Sequence, residues 1–323
     1  MRAFITGATG QVGQALVRRC LERFERVHVV TRGEAPVLAA QPRISVFRGE
    51  IDDAAAVAAA VTGCDVVFHA AARVHARGVG PVDPEAWRVN RDGTAELLRQ
   101  AGRAGVSRFV YFSTISVYGP TPPDQVFDET SPARGTGAYA ESKQAAERLV
   151  LDAADGPMST VVLRLASVFG PGVKGNYRRL VDSLASGYYV PIGDGKNRRT
   201  LVHEEDVAEA AILAAEHPAA TGIYNVTGAG ISTVNEIVEA ICDALGRRPP
   251  RIRVPLLPVT AAAAAADLAM RVAGKRPFAR DTVAKLTEDV AVSGERLQRE
   301  LGYRPRIDLR RGWETVIARQ RLR

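Results

Sequence analysis

Phe4-Ile5-Thr6-Gly7-Ala8-Thr9-Gly10-Gln11-Val12-Gly13 opens this chain of 323 residues. The run from Ala3 to Ile5 is apolar and has the length of a short buried strand. Three glycines follow at a spacing of three, and after them Val12, Ala15, Leu16 and Cys20 recur at helical spacing, with Arg19 as the polar break in the stripe. Strand, glycine turn and helix together form a receptor for a pyrophosphate. Glycine lets the backbone approach the phosphates, and the helix N-terminus offers free N–H groups at the positive end of its dipole. A lone glycine repeat is weak evidence, but this one has the right element on each side. The stretch therefore predicts a dinucleotide site built on Gly7, Thr9, Gly10, Gln11, Val12 and Gly13.

Outward from that turn, strand and helix signals alternate. Val27–Val30, Ile44–Phe47, Asp65–Ala72, Phe109–Phe112 and Val161–Leu165 read as strands. Ala54–Val61, Trp87–Ala104 and Tyr139–Leu151 read as the helices between them. Such alternation predicts an α/β chain with a Rossmann-type, doubly wound parallel sheet and helices on both faces. After Phe169-Gly170-Pro171-Gly172 the character changes. Ile223–Val226 reads as one more strand, but the last hundred residues are mainly helix and connection. The expected organisation is a dinucleotide-binding domain over residues 1–170, with 200–226 returning to it. A smaller, mainly helical substrate lobe over 171–199 and 227–323 would pack on the carboxyl edge of the sheet, where open α/β sheets bind ligands.

The end of the second strand bears on the cofactor. A carboxylate there would bind the adenosine ribose and favour NAD(H). This chain has Thr31-Arg32-Gly33, and the Arg32 guanidinium suits a 2′-phosphate, so NADP(H) is favoured with NAD(H) as the alternative. The fourth strand runs into Ala70, Ala71 and Ala72, whose small side chains let the backbone lie close to a cofactor. His69 reads as a structural strand-end residue.

Composition excludes several other classes. The cysteines Cys20, Cys64 and Cys242 are far apart, with no metal-ligand spacing and no disulfide framework, which points to a reducing, cytoplasmic setting. No metal site is expected. The N-terminal residues read as a core strand, leaving no room for a signal peptide. The longest apolar candidate, Val259 to Gly274, is broken by Asp267 and Arg271 and reads as a soluble helix, so no membrane span is expected. The net charge of +7 comes from arginines scattered among many acids. It fits an anionic cofactor and substrate better than nucleic acid.

Tyr139-Ala140-Glu141-Ser142-Lys143 places a phenol and an ammonium four residues apart, on one face of a helix. Thr114 ends a strand of the same sheet and can face them. A free tyrosine ionises near pH 10, so action as a base near pH 7 needs about 4 kcal/mol of favourable field. Lys143 and an oxidised nicotinamide would supply it. Tyr139 would then exchange a hydroxyl proton while hydride moves to or from the nicotinamide, with Thr114 hydrogen-bonding the reacting oxygen.

These motifs, with His69-Ala70-Ala71-Ala72, Ser113-Thr114-Ile115-Ser116-Val117-Tyr118-Gly119 and Val168-Phe169-Gly170-Pro171-Gly172, cover nearly the whole chain. It resembles an extended short-chain dehydrogenase/reductase, the group of nucleotide-sugar epimerases, dehydratases and reductases. The resemblance implies Tyr139 as acid/base, Lys143 on the nicotinamide ribose and Thr114 as the catalytic Ser/Thr. It places Glu50 and Ile51 beside the adenine, although aspartate is more usual at Glu50, and Ala166 to Val168 along the nicotinamide. Ser116, Asn176 and Arg199 become substrate residues, with Arg199 on the diphosphate of a UDP- or dTDP-sugar. A second diphosphate arginine is usual nearer the C-terminus, but Arg280 and Lys285 sit in no clean motif. The resemblance also implies a homodimer.

Dehydratases of this group place acids just after the catalytic Thr. Ile115 and Ser116 stand there instead, which leaves C4 epimerisation or keto reduction. A second reading is a 3β-hydroxysteroid-type or other lipid-ketone dehydrogenase, to which Val259–Gly274 and Gly274-Lys275-Arg276-Pro277-Phe278 bear some likeness. An NADP-sensing regulator is the non-enzymatic alternative. Such proteins usually lose the Tyr/Lys pair that this chain keeps.

Overall fold

Short apolar strands that alternate with amphipathic helices are buried on both faces only when helices cover both sides of a parallel sheet. The computed structural model, which describes residues 1–74, 83–274, 277 and 279–321, has that arrangement. In chain order the strands are β1 (Arg2–Thr6), β2 (Arg26–Thr31), β3 (Ile44–Arg48), β4 (Val66–His69), β5 (Arg108–Thr114), β6 (Ser159–Leu165), β7 (Ser167–Phe169), β8 (Arg198–His203), β9 (Gly222–Val226) and β10 (Ile231–Thr233). The helices of the first half are α1 (Gln11–Arg23), α2 (Pro36–Ala39), α3 (Ala54–Val61), α4 (Pro84–Trp87), α5 (Gly93–Arg103) and α6 (Ala138–Asp152). Those of the second half are α7 (Gly175–Ser186), α8 (Glu204–Glu216), α9 (Val234–Leu245), α10 (Leu256–Val272), α11 (Ala279–Thr287), α12 (Glu295–Leu301) and α13 (Leu309–Arg321).

Seven strands form one sheet in the order β3-β2-β1-β4-β5-β6-β9, all parallel, which is the Rossmann-type doubly wound arrangement. Alternate residues of one strand feed opposite cores, as the two-residue pleat requires. On β5, Val110 and Phe112 join the layer built on α1 and α8, whereas Phe109 and Tyr111 join the layer built on α3 and α5. A second, three-stranded sheet, β10-β8-β7, carries a third core in which Phe169, Ile237, Ile241 and Trp313 meet.

Two local expectations are revised, and one element is added. The fourth strand stops at His69 and does not run on to Ala72. Its neighbour β1 ends opposite it, with Thr6 paired to His69, and although β5 runs on past Tyr111 to Thr114, Ala70–Ala72 leave the sheet there. The helix expected over Trp87–Ala104 is present as one uninterrupted run from Pro84 to Arg103, starting earlier and widening into a π-type turn at Arg88–Asp92 between α4 and α5. Asn90 lies in that wide turn and is drawn inward. The arginine-rich run before His203 forms β8, which pairs with β7 and β10 in the small sheet. Lys275, Arg276 and Phe278, part of the run compared with the steroid branch, lie outside the described residues. No helix among the described residues is long and apolar enough to cross a membrane, and no cluster there could hold a metal ion.

Trp313 of α13 is fully buried, with its ring centroid 4.9 Å from that of Phe169 and 5.9 Å from that of Tyr177. It ties the last helix to the small sheet. Trp313→Ala should destabilise the fold by about 3–5 kcal/mol, the cost of emptying a large aromatic site, seen as a lower urea midpoint with an unchanged slope.

Candidate active site

The turn after β1 is shaped by the backbone it touches. Gly7 has φ +72°, and a Cβ there would stand 2.7 Å from the Ala71 nitrogen and 2.8 Å from the Ala70 carbonyl. A Cβ on Gly13 would stand 2.0 Å from the Gly7 carbonyl oxygen, so any side chain at that position opens the turn. The Gly10 N–H donates to the Gly7 carbonyl at 2.9 Å, which closes it. Gly10 is the N-cap of α1, and no side chain caps that helix. The first N–H groups of α1 are therefore not spent on a side-chain cap, which is what a pyrophosphate at this helix end would need. Thr9 is exposed, and Gln11 and Val12 begin the helix half-buried. These residues fit a dinucleotide.

Behind the turn, a chain of hydrogen bonds joins β1, β4 and the helix pair. The Ala71 N–H donates to Thr6 Oγ1 at 3.1 Å, and Thr6 Oγ1 lies 2.8 Å from His69 Nδ1. On the other side His69 Nε2 lies 2.8 Å from Thr94 Oγ1, which donates to the Asn90 carbonyl at 2.6 Å. Thr94 spends its proton on that carbonyl, so it accepts from His69 Nε2–H. Nδ1 is then the lone-pair nitrogen and accepts from Thr6. Burial, and then the nearby Lys143 charge, bring the His69 imidazole down to about pKa 3. It is neutral and structural.

Thr114 ends β5 and accepts the Ser116 N–H at 3.1 Å, capping the short turn that follows. Its hydroxyl is hydrogen-bonded to Tyr139, and burial holds the Tyr139 phenol above its ordinary value. Thr114 and Tyr139 are thus neighbours. Lys143 is one helical turn on from Tyr139 in α6 and is 1 % exposed. Its Nζ donates to the Phe112 carbonyl at 2.5 Å and lies 4.1 Å from the centre of the Tyr111 ring. Burial brings the ammonium down to about pKa 7, and the Glu147 carboxylate pulls the other way.

Glu147, a further turn along α6, was not singled out from sequence. It accepts two hydrogen bonds from Arg164 of β6, at 3.0 and 2.7 Å, and a third from Ser113 of β5. Both members of this ion pair are almost fully buried, and Arg164 also lies over the Tyr118 ring at 4.7 Å. The spacing Tyr139, Lys143, Glu147 was the available signal, since residues four apart share a face. Asn90 was passed over as well. It bonds both main-chain groups of Arg73 and donates to the Ser142 hydroxyl at 3.0 Å, tying the π-type turn to α6.

The remaining candidates lie around this centre. Arg32 is exposed just beyond β2, and Arg48 faces Thr31 across the β2–β3 pair. Glu50 is exposed and ion-paired with Arg88 at 2.8 Å, while Ile51 is buried against Gly93. Ala70 and Ala71 are half-buried and Ala72 is exposed. Ala166 is buried, its N–H donating to the Val226 carbonyl at 3.0 Å, and Val168 is half-buried on β7. Ser116 is exposed, with its hydroxyl 3.1 Å from Thr114 Oγ1, and Asn176 is exposed in the first turn of α7. Arg199 is not free: its guanidinium donates to the main-chain carbonyls of Lys285, Leu286 and Glu288, clasping the end of α11.

Residues 3–227 match the model of the NAD dependent epimerase/dehydratase family. The chain is 34% identical over 267 residues to a 3 beta-hydroxysteroid dehydrogenase/Delta 5-->4-isomerase of Mycobacterium tuberculosis, covering 78% of this chain and 72% of that protein. It is 28% identical to a UDP-glucose 4-epimerase of Vibrio cholerae, covering 96% of this chain and 92% of that protein. The solved structure of MoeE5 in complex with UDP-glucose and NAD superposes with a TM-score of 0.79 at 26% identity, covering 100% of this chain and 99% of that one.

The burial of Lys143 has a measurable consequence. In the cofactor-free protein its pKa is about 7, against 10.5 for an unperturbed lysine. Between those values the unfolded chain holds a proton that the folded one has shed, so stability rises with pH. Wild type should gain on Lys143→Met by roughly 1 kcal/mol per pH unit from pH 7 to 10, measured by urea unfolding of both proteins across that range.

Proposed function

The chain belongs to the NAD-dependent epimerase/dehydratase family, and we propose that it transfers hydride at a carbinol or keto carbon, C4, of a UDP- or dTDP-sugar, as a 4-keto reductase or 4-epimerase. It is an NAD(P)-dependent enzyme of the extended short-chain dehydrogenase/reductase type. The observation that carries the reading is the Thr114–Tyr139–Lys143 cluster, with Ile115 and Ser116 directly after Thr114. Elimination needs a group placed to take a proton from carbon, and neither of those two side chains does so. Proton exchange at oxygen needs only what the cluster has.

The nicotinamide, when bound, supplies or accepts the hydride. The turn at Gly7, Gly10 and Gly13 would hold the pyrophosphate, and Lys143 the nicotinamide ribose. In reduction the Tyr139 phenol gives its proton to the carbonyl oxygen, and in oxidation the phenolate takes it back. The Thr114 hydroxyl holds the same oxygen. The buried Lys143 ammonium favours the anionic phenol, offsetting the burial that disfavours it. Glu147 favours the charged form of that ammonium against its burial, and Arg164 holds the Glu147 carboxylate in place. Asn176 and Arg199 would meet the substrate. A diphosphate at Arg199 has to replace three main-chain carbonyls, so binding would release the end of α11.

That engagement of Arg199 also favours a second reading, in which the substrate is an apolar ketone or alcohol with no diphosphate. The relative named as a 3 beta-hydroxysteroid dehydrogenase supports it. NADP(H) is the favoured cofactor, because the residue directly after β2 is an exposed arginine and not a carboxylate. Arg32→Asp should weaken NADP binding more than NAD binding in a titration, and equal effects on both would remove that preference.

The test is oxidation of NAD(P)H in the presence of UDP- and dTDP-4-keto sugars and of apolar ketones. We expect turnover of a nucleotide-linked ketone, reduced by about 10²–10⁴-fold in Tyr139→Phe with cofactor affinity retained. Turnover of apolar ketones alone selects the second reading. Undiminished turnover in Tyr139→Phe removes the mechanism.

A further inference from the structure

We propose that α10 is a docking surface for an anionic lipid bilayer, holding the protein peripherally on the membrane without spanning it. Helix α10, Leu256–Val272, has two apolar sides. One side, with Val259, Ala263 and Met270, is buried or half-buried. The other is a stripe of Leu257, Ala261, Ala264, Leu268 and Val272, all of them exposed. At about 100° per residue these five fall within an arc of about 80°, and they run along about 22 Å of helix. Leu257 is 82%, Leu268 64% and Val272 83% exposed, so the stripe is uncovered along its whole length.

Charge selects what would cover it. From Arg247 to Lys285 the sequence has nine lysines and arginines and only two acids, Asp267 and Asp281. That surplus equals the net +7 of the whole chain, so the rest of the protein is neutral overall. Asp267, the only acid of α10, is turned inward, where its carboxylate accepts the Ala279 and Arg280 N–H groups at 2.8 and 3.1 Å. The exposed Arg271 borders the stripe in the last turn, and the exposed Arg251 and Arg253 precede the helix. An apolar stripe flanked by cations is the pattern of a helix that lies in the headgroup region of an anionic leaflet. A second copy of this chain would bring the same positive charge against itself. Nucleic acid would use the arginines and leave the stripe wet.

A cavity lies beside the start of the helix. Leu256, at the start of α10, lines a cavity of about 530 Å³ with Ile192, Asp194, Asn197, Arg253 and Thr287. The proposal does not depend on which substrate enters.

Flotation with vesicles of phosphatidylcholine alone, and of phosphatidylcholine with phosphatidylglycerol, tests it on the full chain. Binding is expected to the phosphatidylglycerol vesicles at low salt, weakened by high salt, with little binding to phosphatidylcholine. Leu268→Ser/Val272→Ser should reduce the bound fraction about tenfold at an unchanged melting temperature, because both sites are exposed. Arg271→Gln should weaken binding less and reduce its salt dependence. No flotation with the anionic vesicles overturns the proposal, as does equal flotation of the double variant. Dimerisation without lipid binding, lost in the double variant, assigns the stripe to a second copy and overturns it too. Retention on duplex DNA that the serine variant leaves unchanged, without lipid binding, would overturn it in favour of nucleic acid.

Discussion

Much of the centre of this protein is arranged around one buried ammonium ion. A lysine taken out of water costs several kcal/mol unless its charge is answered. Lys143 is answered by the Phe112 carbonyl, the face of Tyr111 and the Glu147 carboxylate behind it. Each partner comes from β5 or α6, so meeting the demands of the lysine also fixes how that strand and helix meet. The same charge helps keep His69 neutral, and a neutral His69 orders the hydrogen bonds from Thr6 to Thr94 and holds the glycine turn against Ala71. The proposed cofactor turn and the proposed proton-transfer pair are therefore parts of one network.

Glu147 and Arg164 extend that network away from the cleft. A buried ion pair adds little to stability by itself, but removing one partner leaves the other stranded. Here the pair joins α6 to β6, and through Tyr118 and Asn225 it reaches β9 and Ser293. The sheet edge and the segment before α12 are thus tied to the helix that carries Tyr139. The Arg199 clasp on α11 makes a comparable connection in the smaller lobe, between β8 and the pair α10–α11.

The features legible in the sequence were those set by short-range pattern. The glycine turn, the Tyr139–Lys143 spacing and the strand–helix alternation each depend on residues within a few positions of one another. Ala54–Val61 lies where its pattern put it. What was missed depends on distant partners. Strands β7 and β10 are three residues long, and only pairing with β8 makes them strands. The π-type turn at Asn90 exists because Arg73 and Ser142 draw that side chain inward, against a pattern that reads as unbroken helix. Arg199 looks free in sequence because the carbonyls that hold it lie 86 to 89 residues away. Substrate class was the least legible feature, since relatives of comparable similarity are named for a steroid and for a sugar nucleotide.

The central claim is that the buried charge of Lys143 governs the phenol of Tyr139. Ultraviolet difference titration near the phenolate band, with Tyr139→Phe as the blank, isolates that one tyrosine among the eight in the chain. In the protein without cofactor, burial keeps the phenol above its ordinary value. With oxidised NAD(P) bound, the account predicts ionisation well below pH 10, and return of the midpoint above 10 in Lys143→Met. A phenol that stays above 10 with cofactor bound, or a midpoint that Lys143→Met leaves unmoved, would contradict it.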